Sequence, residues 1–105
     1  MSDIPCCSVT LTELRHLFNS NQYWEKLKAG EFYKQKLFDA HARKNRPSIP
    51  KCTRSQILAY KNEKGEKIAV VHQYLKRDGN LGGSGRPDPK QLFHEGKLYI
   101  AIDEN

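Results

Sequence analysis

A glycine-rich stretch that follows a strand-like histidine is the part of this sequence best suited to chemistry. Residues 72–90 read HQYLKRDGNLGGSGRPDPK, so that His72 precedes a loop with four glycines. A backbone with few side chains can approach an anion closely and offer it N–H groups. Cations stand around the loop at Lys76, Arg77, Arg86 and Lys90. These residue types predict a phosphate-binding site.

The same residues suggest a reaction. A histidine titrating near neutrality can take the proton of a ribose 2′-hydroxyl, and cations can stabilise the charge that gathers on phosphate oxygens. We therefore predict a catalytic set for metal-independent RNA cleavage, with a further histidine, His41 or His94, as the acid. The set consists of His72, Arg77, Arg86 and Lys90. The alternative is a hydrogen-bonded, inert strand histidine beside a loop that only connects two elements.

A second cationic segment precedes the strand histidine. Residues 43–55 form a connector bent by two prolines and free of acidic residues. Its cations and nearby hydroxyls are typical phosphate contacts. The predicted nucleic-acid-binding residues are those of the connector (Arg43, Lys44, Arg46, Lys51 and Arg54) and those of the loop (Lys76, Gly83 and Ser84).

Other site types receive little support. The loop lacks the lysine and hydroxyl of a Walker A motif and the spacing of a dinucleotide fingerprint. The cysteines Cys6, Cys7 and Cys52 have no Cys-x-x-Cys spacing, which disfavours zinc. Only six residues separate Asp88 from Glu95, and Pro89 and Gly96 indicate a turn rather than one continuous strand, which disfavours magnesium. We predict no metal and no cofactor.

Composition and charge set the class of protein. The 105 residues carry eighteen Lys and Arg against twelve Asp and Glu, a net charge of +6, which favours RNA or another polyanion as partner. No apolar run reaches the roughly 20 residues that span a bilayer, and the N-terminus lacks a secretory pattern. Three cysteines do not suggest a disulfide framework. We expect a cytoplasmic protein that does not bind membranes.

The first half of the chain is predicted to be helical. Thr10 with Glu13 forms a capping-box pattern, and leucines and Phe18 recur on one helical face. A second helix is predicted from about Gln22 to Gly30, and residues 31–42 are predicted to form a third. The prediction is thus of one domain, residues 1–105, with residues 1–9 flexible, 10–42 helical, 43–55 a basic connector and 56–103 rich in β-structure.

In the second half of the chain, the spacing of apolar residues changes from that of a helix to that of a strand. Residues 56–61 and 68–75 read as a hairpin, residues 98–102 as a last strand, and Asp88 with Pro89 as a short helix start. The loop lies at residues 78–88. If the face of Val71 is buried, His72 points away from the core. The predicted fold class is α+β, with N-terminal helices packed on a C-terminal, mostly antiparallel sheet of three to four strands.

The order of helices followed by a sheet, the basic balance and the strand histidine are similar in architecture to small microbial ribonucleases and RNase-type toxins. Architecture assigns no residue role. The sequence therefore indicates a small basic domain that binds RNA or another phosphate-rich polymer, with metal-independent endoribonuclease activity left open. The alternative is a non-enzymatic interaction module, an inhibitor or regulatory subunit, that docks an acidic protein partner.

Overall fold

The computed structural model describes residues 4–42 and 48–102 and contains six strands and two helices within these ranges. In chain order they are β1 (Cys6–Thr10), α1 (Leu11–Ser20), α2 (Tyr23–Lys28), β2 (Tyr33–His41), β3 (Arg54–Lys61), β4 (Lys67–Leu75), β5 (Asp88–His94) and β6 (Lys97–Ile102). No helix within the two described ranges has the length and apolar character needed to cross a bilayer.

All six strands belong to one mixed sheet. Their order is β1-β6-β5-β4-β3-β2, and only β1 and β6 are parallel. The chain starts at one edge, crosses one face of the sheet as α1 and α2, and begins β2 at the other edge. It then returns strand by strand until β6 pairs with β1. The two helices therefore cover one face, which we call the helical face, and we call the opposite one the open face.

The helices form where the sequence predicts them. The Thr10 hydroxyl accepts a hydrogen bond from the Glu13 N–H, and the Glu13 carboxylate accepts one from the Thr10 N–H, which confirms the capping box. Leu14 and Phe18 are fully buried on the helical face. They pack with Tyr23 of α2 and with Tyr60, Val71 and Leu92 of the sheet.

The predicted fold class is wrong. Six strands, not three to four, make this a mainly β-structure with two short helices. Residues 31–42, predicted as a third helix, contain β2 instead, which pairs with β3. The physical reason is that α1 and α2 already cover the core, so a third apolar helical stripe has nothing to pack on. As a strand, the segment gains backbone pairing with β3 and keeps its lysines in solvent.

Two other segments also differ from expectation. Asp88 and Pro89 begin β5 rather than a helix, and the pairing of β4 with β5 shifts register between Val70 and Val71. Proline lacks a backbone donor but is tolerated at such an irregularity. Cys6–Thr10, within the segment predicted to be flexible, forms β1 because β6 supplies a partner.

The two faces of β4 differ in burial. Ala69, Val71 and Gln73 are buried on the helical face. By alternation, His72 and Tyr74 belong to the open face, and His72 lies opposite Ile57 of β3.

Candidate functional site

An opening in the sheet between β4 and β5 forms the candidate site. Pairing between the two strands ends at His72 and Asp88, although β4 continues to Leu75. Leu75 pairs with Leu81 of the following loop instead, and the Gly82 N–H donates to the Tyr74 carbonyl at 2.8 Å. Between these two points the strands separate around a cleft of about 410 Å³.

The glycine loop is a defined structure rather than a loose connector. Gly79 donates to the Lys76 carbonyl at 3.0 Å, and Gly85 donates to the Gly82 carbonyl at 3.1 Å. These bonds close two consecutive turns. Gly83 and Gly85 have φ values of +64° and +81°, a region that residues with a Cβ rarely adopt. The loop backbone is therefore held as one wall of the cleft, with Gly82, Gly83 and Ser84 lining it.

His72 lies on the floor of the cleft. Its Nε2 is 2.7 Å from the Ser55 hydroxyl of β3, and its ring meets the edge of Tyr74 with centroids 4.7 Å apart. Burial lowers the pKa of His72 below its ordinary value, and the positive charge of Lys90 adds to this, while Asp88 opposes it. The neutral imidazole is therefore favoured at neutral pH, which is the form that accepts a proton.

Asp88 also lines the cleft, at the point where the glycine loop leads into β5. It accepts two hydrogen bonds from the Arg15 guanidinium of α1, at 2.6 and 3.2 Å, and lies 3.4 Å from the Lys90 ammonium. Burial alone would raise the pKa of Asp88, but the Arg15 and Lys90 interactions outweigh it and lower the pKa. Arg15 and Lys90 thus bring two cations to the Asp88 carboxylate at this part of the cleft.

Arg86, predicted as a catalytic cation, has mainly structural contacts. It donates to Asn19 of α1 at 3.1 Å and pairs with Glu25 of α2 at 2.9 Å. Its guanidinium lies 4.9 Å from the centre of the Trp24 ring. Although Arg86 lines the cleft, these contacts fix the end of the glycine loop against both helices.

A second hollow adjoins the cleft. Tyr74, Gly82 and Gly83 line both it and the His72 cleft, and its far side is made by residues 48–50 and Thr53 of the connector. Beyond it, Lys51 faces Lys76 and Arg77 across a third depression. The described part of the connector and the glycine loop thus meet along one surface, which we call the basic groove. Lys51, Lys76 and Arg77 form no salt bridge with any described carboxylate.

The other predicted residues are distributed as follows. Lys90 lies beside the cleft on Asp88. Arg77 lies in the basic groove and does not line the His72 cleft. Arg54 is held by Asp39 at 2.7 Å. Arg43, Lys44 and Arg46 lie outside the described residues.

Neither histidine proposed as the acid lines the cleft. His94 Nδ1 is 2.6 Å from the Tyr23 hydroxyl on the helical face. His41 Nε2 accepts a hydrogen bond from Arg54 at 3.3 Å near the end of β2.

Sequence reasoning missed two residues that contact cleft residues: Arg15, which binds Asp88, and Ser55, which binds His72. Arg15 lies on the exposed side of an amphipathic helix, where a cation is ordinary, and nothing in the local pattern links it to Asp88. Ser55 was seen only as a hydroxyl beside the connector. Its alternation along β3 with Ile57, opposite His72, would have placed it near the histidine once the register was known.

Comparison with known proteins adds no family: no family model matches the chain, and no similar curated protein or solved structure is found. Among residues 4–42 and 48–102, no three His, Cys, Asp or Glu side chains are grouped in a way that could hold a metal ion. The cleft and the basic groove are therefore the features of this chain that bear on its function.

Proposed function

We propose that this protein binds single-stranded RNA along the basic groove and cleaves it in the adjoining cleft, without a metal, with His72 as the general base. The observation that carries the proposal is that Tyr74, Gly82 and Gly83 line a surface continuous from His72 to the connector. A chain of phosphates crossing it would pass cations from two separate segments. The reaction would take place where a histidine is favoured in its neutral form.

Binding rests on exposed cations and on backbone. Lys51 and Arg77 are exposed and Lys76 half-buried, and these three cations share their depression with one carboxylate, Asp78, which interacts electrostatically with Lys76. Glycines along the groove let a phosphate approach the main chain. Tyr74 adds an aromatic surface of the kind on which unpaired bases stack. Single-stranded RNA presents phosphates and free base faces together, which is why it suits this surface.

Cleavage requires a base, charge stabilisation and an acid. With a proton on Nε2 and Ser55 accepting its hydrogen bond, His72 keeps the lone pair of Nδ1 for the 2′-hydroxyl proton. The freed oxygen attacks phosphorus, a 2′,3′-cyclic phosphate forms, and the bond to the 5′-oxygen breaks. That oxygen takes a proton from Tyr74 or from water. Arg15 and Lys90 stabilise the negative charge on the phosphate oxygens.

The test is incubation of labelled RNA with the protein in EDTA at near-neutral pH. We expect fragments that end in cyclic phosphate, and no cutting of the same oligonucleotide made as DNA. Replacing His72 with alanine should lower the rate by about a hundredfold or more, as loss of a general base does, while RNA affinity is retained.

His16 provides the matched control, since this exposed histidine of α1 lies outside the cleft. His16→Ala should cleave like the unchanged protein. Cutting of DNA at an equal rate, a requirement for Mg²⁺, or full activity in His72→Ala would each contradict the catalytic assignment. Binding without cleavage would leave only the RNA-binding half of the proposal.

A further inference from the structure

The outer edge of β2 has an unusual combination of charge and apolar surface. β2 is the last strand of the sheet and pairs only with β3 among the described residues. Its other side therefore presents main-chain N–H and C=O groups that a further strand could pair with. We propose that β2 docks an extended segment of an acidic partner protein, which adds to this edge as a seventh strand. The proposal does not depend on RNA binding.

The two faces of β2 differ in chemistry. Lys34 and Lys36 lie opposite Tyr60 and Leu58, whose side chains are buried on the helical face. The lysines therefore form a cationic row on that side of the edge. Phe38 lies opposite Ile57 and belongs to the open face. A segment with acidic residues on one face and apolar residues on the other would complement both rows at once.

Exposed apolar surface is concentrated on this strand. Tyr33, Leu37 and Phe38 are 51%, 50% and 50% exposed, and they are three of the five most exposed large apolar side chains of the described residues. Isolated exposed apolar residues are ordinary, but three on one unpaired strand give a docking strand something to cover.

The bulge in β2 does not protect its edge in the usual way. Pairing with β3 shifts register between Lys36 and Phe38, so Leu37 is the extra residue. Bulges often blunt an edge by twisting it or by placing a charge there. Here the extra side chain is a half-exposed leucine. Four residues, Tyr33 to Lys36, precede it in regular register with β3.

The opposite edge of the sheet also has exposed apolar side chains near it, Ile4 and Ile102, but lacks the row of lysines. β1 is a strand of five residues, CCSVT, with no charged side chain, and α1 contacts it. The charge pattern is therefore a property of β2 and not of sheet edges in this protein generally.

The charge of β2 indicates that the docked segment is acidic and comes from a different protein. Asp39, the acidic residue of β2, is already paired with Lys36 at 2.9 Å and with Arg54 at 2.7 Å. Lys34 remains beside this group, so the helical side of the edge has a positive balance. A second copy of this chain would bring two such lysine rows together, and like charges on neighbouring strands repel. A partner segment in which acidic and apolar residues alternate would complement both the lysine row and the apolar side chains of β2.

The experiment uses the full chain and a fluorescent peptide, Glu-Val-Glu-Thr-Glu-Val-Glu-Thr, as the probe. Fluorescence anisotropy measures its affinity, and amide chemical shifts locate it. We expect the peptide to bind and to shift the amides of residues 33–41. The same peptide with Lys in place of Glu should bind more weakly. In the double variant Lys34→Glu/Lys36→Glu, affinity for the acidic peptide should fall by about tenfold, because two attractive pairs become repulsive.

The basic groove supplies the control, since an acidic peptide could bind there instead. Lys76→Glu/Arg77→Glu makes the same change in net charge and should leave the affinity within about twofold, because these residues lie away from β2. Absence of binding, shifts confined to the groove, or a greater loss in the groove variant than in the β2 variant would overturn the proposal. So would a peptide-free dimer whose β2 amides are protected from exchange, because the edge would then pair with itself.

Discussion

Ser55 and His72 form the side-chain contact on which the proposed chemistry depends most closely. The Ser55 hydroxyl oxygen lies 2.7 Å from His72 Nε2, and His72 Nδ1 has no hydrogen-bond partner among the described residues. A serine hydroxyl can accept or donate, so it does not by itself select a tautomer. In the catalytic form, Ser55 accepts from Nε2 and leaves Nδ1 unprotonated. Ser55 is thus a positioning residue that acts through His72.

Replacing Ser55 with alanine tests that role. We expect the RNA cleavage rate to fall by roughly fivefold to tenfold, the equivalent of one neutral hydrogen bond of about 1 kcal/mol, with RNA affinity unchanged. Ser55→Thr keeps the hydroxyl and should restore the rate. The ¹⁵N shifts of the His72 ring should show one tautomer in the unchanged protein and in Ser55→Thr, but a mixture in Ser55→Ala.

The pH profile of the same proteins is a further readout. Because the pKa of His72 is lowered from 6.5, its neutral form persists below that pH. The rate of the unchanged protein should therefore rise with pH through a midpoint below 6.5 and then level off. A midpoint above 6.5, or no acid limb, would show that His72 is not the base.

At the scale of elements, Arg86 links the glycine loop to the helices. Its contacts with Asn19, Glu25 and Trp24 come from one residue of the loop and reach both α1 and α2. The Glu25 carboxylate is partly exposed, which limits the strength of the ion pair through solvent screening. The Asn19 bond and the stacking on Trp24 are less sensitive to salt. Together these contacts indicate that Arg86 stabilises the attachment of the glycine loop to the helices.

Arg86→Ala should therefore lower the free energy of unfolding by about 1–2 kcal/mol, which is the loss of two modest interactions and some packing. Arg86→Lys should lose nearly as much, because lysine lacks the planar fork that contacts Asn19 and Glu25 together. Urea denaturation measures both. Arg77→Ala, which removes an exposed arginine of the same loop, is the control and should stay within about 0.5 kcal/mol. Equal midpoints for Arg86→Ala and Arg77→Ala would contradict the structural role.

Elements were predictable from the sequence where one local signal was strong. Thr10 and Glu13 mark the start of α1, and alternation marks β3 and β4. β2 and β5 were missed because their signals conflict: residues 31–42 carry aromatic residues at spacings compatible with either period, and Asp88 before Pro89 is also a helix start. Tertiary pairing decided both cases. β1 has no strong signal, since it depends on β6 at the far end of the chain.

At the scale of the whole molecule, the sequence predicts which residues are candidates for the site. It does not predict how the fold brings them together. Residue types indicated that His72, the glycine loop and the connector cations were candidates. Nothing in the sequence showed that Arg86 would be paired with Glu25, or that Arg54 would be paired with Asp39. Pairing lowers the pKa of Asp39 to about 2 and removes Arg54 from the set of unpaired cations. Each such pair removes one charge of either sign and leaves the net charge of +6 unchanged, so the net charge does not show where the unpaired cations lie, and their location decides which surface is positive.

The effect of where the cations lie can be measured separately from the effect of how many there are. Lys76 and Arg77 lie in the basic groove, whereas Lys64 lies in the turn between β3 and β4 and Lys97 begins β6, both at the opposite end of the strands. Two double variants remove the same net charge from opposite ends of the strands: Lys76→Gln/Arg77→Gln from the groove and Lys64→Gln/Lys97→Gln from the far end. With a 2′-O-methyl RNA, which cannot be cleaved by 2′-hydroxyl attack, anisotropy across a salt series gives the slope of log affinity against log salt. The groove pair should reduce that slope by about 1.4, since each phosphate contact to a single strand contributes about 0.7. The far pair should leave it nearly unchanged. Equal reductions would mean that RNA responds only to total charge, and the groove would then have no part in binding.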